Sequence, residues 1–159
     1  METFKILARI ILIMSFLMSS LAVNTYAQED KLIPLSGDRA TVYHPVELKS
    51  DAEKVLVIFN VTGEEIKDAI SFKLSYKPSI VLIKDKRYFE STVGSPHISA
   101  YAISEKGLIV MDYNRVLTEP FTLKNTLKHE LVHLVLGEHL GDRMPKWLNE
   151  GVAQLIADS

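Results

Sequence analysis

Apolar positions along the chain fall into segments of two periods, and their order predicts a mixed α+β domain. Ala52, Val55, Leu56, Phe59, Ile66, Ala69 and Ile70 recur at helical spacing, which predicts a helix over about 51–72 with a bend at Gly63. Ser50 and Glu53 stand at the spacing of a capping box for that helix. Upstream, residues 40–48 carry β-branched and aromatic side chains interrupted by Pro45, the pattern of an edge strand. Residues 28–40 are polar and mixed, a lead-in without regular structure. Downstream, the apolar run 79–84 reads as a buried strand, and 85–92 as a short helix closed by Gly94 and Pro96. Residues 98–104 and 108–113 read as two further strands joined by a hairpin turn at Glu105-Lys106-Gly107.

The strongest helical pattern follows, over about 120–136, where Leu123, Leu127, Leu131 and Leu134 line one face. Gly137 is placed as its C-terminal stop, and 138–144 as a loop. Pro145 then opens a last helix reaching about residue 157. A small mixed sheet packed against the first long helix and the leucine-faced helix, followed by a C-terminal helix, is the expected architecture.

Outside this pattern lies the N-terminus. Lys5 and Arg9 precede an apolar stretch over 10–23 broken only by serines, and Ala27 ends the segment with a small residue. That stretch is shorter than the ~18–20 residues that span a bilayer. Residues 1–27 therefore read as a signal peptide, with 28–159 as a single exported domain, periplasmic or extracellular, that keeps no stable membrane insertion after cleavage. An uncleaved N-terminal anchor is the alternative. Composition is that of an ordinary globular protein, 47% hydrophobic and 24% charged, so a packed core can form. A formal net charge of -2 gives no footing for a nucleic-acid partner. The chain has no cysteine, so a bound metal must be held through nitrogen and oxygen. No motif specifies an oligomeric state.

His129-Glu130-Leu131-Val132-His133 has the form H-E-x-x-H and lies inside the leucine-faced helix. Four residues make a little over one turn, so both imidazoles leave the same face about 6 Å apart along the axis. That spacing lets them converge on one tetrahedral cation. Glu130 borders the same face and can reach a water activated by the ion without ligating the ion itself. A complete site needs a third protein ligand, and Met144-Pro145-Lys146-Trp147-Leu148-Asn149-Glu150-Gly151-Val152-Ala153 contains the candidate. The 16 residues between His133 and Glu150 suffice to finish one helix, turn and open a second. Gly151 and Ala153 are small enough to permit close approach.

Taken together, H-E-L-V-H and the downstream P-K-W-L-N-E-G-V-A resemble the gluzincin metallopeptidases, in particular the compact peptidase MA-like group. The resemblance extends over about 79–157 and implies a zincin-like fold. It implies Zn2+ held by His129, His133 and Glu150, with Glu130 as catalytic base in the hydrolysis of peptide bonds of a peptide or protein substrate. It further implies that an edge strand pairs with extended substrate, a place occupied here by Ser99, Ala100, Tyr101 and Ala102. Endopeptidase action is expected, since no G-x-M-E-N motif is present.

Other readings stand beside this one. His139 follows His129 by ten residues, as the third ligand does in metzincins, but Leu136 occupies the place of the glycine and Gly137 comes one position late. A catalytically silent zinc-binding or partner-binding module is another alternative. Larger gluzincins carry an oxyanion-stabilising Tyr or His beyond the third ligand, and residues 151–159 hold neither. The expectation is thus a minimal or C-terminally incomplete domain.

Overall fold

Val42, Ile80, Leu82, Ile109 and Met111 alternate with outward neighbours and share one buried face of a five-stranded sheet. The computed structural model describes residues 31–159, which pack as one unit. The leader assigned to 1–27 lies outside the described residues. Strands β1 (Ile33–Ser36), β2 (Thr41–His44), β3 (Ser79–Ile83), β4 (Ala100–Ile103) and β5 (Leu108–Asp112) take the order β1-β2-β3-β5-β4. The inner strands β2, β3 and β5 run parallel, while β1 and β4 are antiparallel edges.

Four helices complete the domain: α1 (Lys49–Ile70), α2 (Lys86–Val93), α3 (Leu123–Leu140) and α4 (Lys146–Ala157). Helices α1 and α3 cover the main apolar face, where Ala52, Val55, Phe59 and Ile66 meet Leu127, Leu131 and Leu134. Helix α2 closes the opposite face with Phe89, packed on Ile83 and Val110. Its start is set by Asp85, whose carboxylate accepts from the Arg87 and Tyr88 amides. Along β4, Ala100 and Ala102 turn toward the main core while Tyr101 turns away toward Phe89, with ring centroids 6.2 Å apart. These two small alanines let α3 lie close to the sheet edge. No helix among the described residues is long and apolar enough to cross a membrane.

Several sequence expectations need correction. The lead-in 28–40 contains strand β1, turned into β2 by a bond from the Gly37 amide to the Ala40 carbonyl (2.9 Å). Strand β2 is consequently an inner strand, and Pro45 lies just past its end instead of interrupting it. No capping box forms at α1. A 3-10 turn over Val46–Leu48 runs straight into the helix, which places Ser50 and Glu53 inside it. The helix continues through Gly63. Between β4 and β5 a 3-10 turn, Ser104–Lys106, ends at Gly107 with positive φ. Gly137 does not stop α3, which runs one turn further and closes at Gly141.

Candidate metal centre

Helix α3 begins at Thr122, whose hydroxyl accepts from the Asn125 amide (3.1 Å). Its buried residues Leu127, Leu131, Leu134 and Val135 hold it on the core. His129 and His133 look out from the remaining face, each partly exposed. Gly137 serves the helix by its lack of a side chain, because a Cβ there would overlap Ser104. The Ser104 hydroxyl in turn donates to the His133 carbonyl (3.1 Å), which pins the second histidine to the end of β4.

Helix α4 is turned back onto α3 by the positive-φ Gly141 and the extended Pro145, and Ala153, Ile156 and Ala157 are its buried face. Pro145 is the cap of α4, one place before the first helical position assigned from sequence. This packing brings Glu150 over the two imidazoles. His129 Nε2 and His133 Nε2 are 3.0 Å apart, and a Glu150 carboxylate oxygen lies 3.6 Å from each. Tetrahedral coordination with bonds of ~2.0–2.1 Å sets its ligand atoms about 3.3 Å apart. The three atoms therefore fit one small divalent cation, and they form the metal-competent group of the described residues. Asn149, unmarked in the sequence reading, accepts from His133 Nδ1 through its side-chain oxygen. Its place beside Glu150 on one helix was the available signal.

Burial, then the neighbouring His133, holds the His129 imidazole below its usual pKa, against the opposing charges of Glu150 and Asp158. A neutral ring is the form that ligates metal. Glu130 stays outside the group of three. Only 7% of it is exposed. Burial, seconded by the Glu150 charge, pushes its carboxyl up to about 8, with the Ala102 amide opposing. Unligated and lining the same cleft as His129, this carboxyl is placed for proton transfer beside the group of three.

The remaining candidates fall as follows. His139 is not brought to the group: its Nε2 donates to the Lys73 carbonyl (2.8 Å) and its ring stacks on Phe72 at 4.5 Å. His44 is buried and donates from Nδ1 to the Pro45 carbonyl (2.6 Å). Ser99 precedes β4, and its carbonyl accepts from the Asp112 amide. Ala100, Tyr101 and Ala102 belong to β4, an edge strand that no other strand pairs on its outer side among the described residues. Their side chains are committed to the two cores, so only the backbone there is open to a ligand. Beside the centre a cleft of about 350 Å³ is lined by His129, Glu130, Phe121, Asn125, Gln154 and Asp158, among others.

A scan against protein-family models and a search of curated proteins both return no match for this chain. The fold and the site thus define a mixed α+β domain carrying a His-His-Glu group able to hold a metal ion.

Proposed function

We propose that the chain is a zinc-dependent peptidase of zincin-like fold, exported by the leader over 1–27, that hydrolyses peptide bonds within a peptide or protein substrate. One observation carries the reading: three ligand atoms from two packed helices converge within 3.6 Å, with the carboxylate of Glu130 close by but not among them. The nitrogen and oxygen donors suit zinc, with His129, His133 and Glu150 holding it. When bound, zinc supplies Lewis acidity toward water and the scissile carbonyl. Glu130 takes the proton of the attacking water on its carboxylate and returns it to the leaving amine. The outer edge of β4, unpaired among the described residues, offers backbone groups to an extended substrate, which supports peptide as the substrate class.

Zinc content and hydrolysis of an unstructured protein, measured together, test the proposal. Wild type should hold one zinc per chain and cleave, whereas Glu130→Gln should keep the zinc and lose cleavage. Stoichiometric zinc without hydrolysis in wild type would favour a silent metal-binding module. Absence of stoichiometric zinc would sink both.

A further inference from the structure

We infer that the cleft beside His129 is a subsite for a lysine or arginine side chain of the peptide substrate, selected by Asp158. This deepens the peptidase reading and rests on it. The cleft begins at the centre itself, since His129 and Glu130 line it, and ends on the last turn of α4 with Gln154, Ala157 and Asp158. Asp158 caps α4 just past its last residue, eight residues beyond Glu150, about 12 Å along the helix axis. A side chain that enters the cleft beside His129 must be long and flexible to approach Asp158 at its far end, as lysine and arginine are.

Charge points the same way. No lysine or arginine lines the cleft, and its carboxyl groups are Glu130 and Asp158. Gln154 holds the Asp158 carboxylate through its amide (2.9 Å), and no basic side chain is paired with it among the described residues. Arg115 lies over the Phe121 ring at 5.5 Å, but its guanidinium donates to the Pro96 and His97 carbonyls and does not enter the cleft. Phe121 and Ala157 offer apolar surface for a methylene stem, and Asn125, Thr126 and Gln154 offer acceptors for its cationic head. An acidic side chain would meet like charge, and a purely apolar one would leave those polar groups unpaired.

The test uses zinc-loaded mature protein and matched quenched-fluorescent peptides carrying Lys, Arg, Leu or Glu next to the scissile bond. Cleavage of the Lys and Arg peptides should exceed that of the Glu peptide by about tenfold or more in kcat/KM. The preference should shrink in high salt, fall in Asp158→Asn, and invert in Asp158→Lys. Because a ratio is read, partial loss of overall activity does not disturb it, and the wild-type preference stands as a test without any variant. Cleavage of all four peptides at similar rates, or a preference that survives Asp158→Asn and Asp158→Lys unchanged, would overturn the subsite alone. Failure to cleave any peptide would remove the peptidase reading and the subsite with it.

Discussion

The side-chain oxygen of Asn149 accepts from His133 Nδ1 across the junction of α3 and α4. A proton held on Nδ1 leaves the Nε2 lone pair directed at His129 and Glu150. Consecutive residues of α4 thus act on one imidazole from two sides: Asn149 accepts from Nδ1, and Glu150 faces Nε2 at 3.6 Å.

Removing the orienting group should weaken the metal site without dismantling the fold. Asn149→Ala is expected to lower zinc affinity roughly 10–100-fold, read by chelator competition. Asn149→Asp, which keeps an acceptor, should recover most of it. Unchanged affinity in Asn149→Ala would mean that the ring is held by packing alone.

Gly137 offers a prediction whose sign is informative. In an open helix interior Gly→Ala stabilises by up to ~1 kcal/mol. Here a Cβ would overlap Ser104, so Gly137→Ala should destabilise by about 1–3 kcal/mol in urea unfolding. Adding Ser104→Gly should restore most of that. Stabilisation by Gly137→Ala would show the approach of β4 to α3 to be loose.

The elements of the domain were legible where one period dominated. The leucine stripe of α3, the run of β3 and the spacing of His129, His133 and Glu150 all gave positions that the fold brings together. Errors arose where tertiary contact overrides local pattern. Gly137 resembles a helix stop, yet its small size answers a contact with Ser104, 33 residues earlier in the sequence. Strand β1 has half-exposed, alternating residues including Pro34, so its ladder with β2, not its own composition, defines it. The signal for Asn149 is only its place next to Glu150, since its contact with His133 exists once α4 folds back on α3. Glu65 and Lys128 were missed for a related reason, since Lys128 sits within a leucine-rich face and only the fold reveals its partner.

That partner carries a pH-dependent prediction. The Lys128 ammonium is buried, 2.9 Å from a Glu65 carboxylate oxygen, and also donates to the Ser159 carbonyl (3.1 Å). The other Glu65 oxygen pairs with Lys124 at 2.7 Å. Lys124 first and Lys128 second hold the Glu65 carboxyl below its usual pKa. The native carboxyl thus ionises at lower pH than the unfolded one, and the unfolded chain takes up the extra proton as pH falls. The stabilisation is complete above the unfolded value of about 4.3 and disappears as pH drops through the lower native value. Glu65→Gln should cost roughly 1–3 kcal/mol at pH 7, less than a fully enclosed pair because Glu65 is partly exposed. The difference from wild type should vanish in strong acid. Lys128→Met leaves the buried Glu65 Oε2 without its cation, so it should also destabilise, but by less than Glu65→Gln because Lys124 still neutralises the carboxylate. An equal loss of stability in both variants would contradict this account.

The ligand set itself separates the two spacing-based assignments. Glu150 lies 3.6 Å from both histidine nitrogens, whereas His139 is occupied by Lys73 and Phe72. Glu150→Ala removes one of the three proposed ligands, so zinc affinity should fall roughly a hundredfold or more. The rise in Tm that saturating zinc produces by binding the native state should shrink accordingly. His139→Ala loses a stacked ring and a hydrogen bond between α3 and the segment after α1. It should lower Tm in the metal-free protein while leaving zinc affinity within a few-fold of wild type. Calorimetric zinc titration of the two variants gives the comparison directly. If His139→Ala abolished binding and Glu150→Ala preserved it, the third ligand would be the histidine, and the packing of α4 over α3 would have no part in holding the metal.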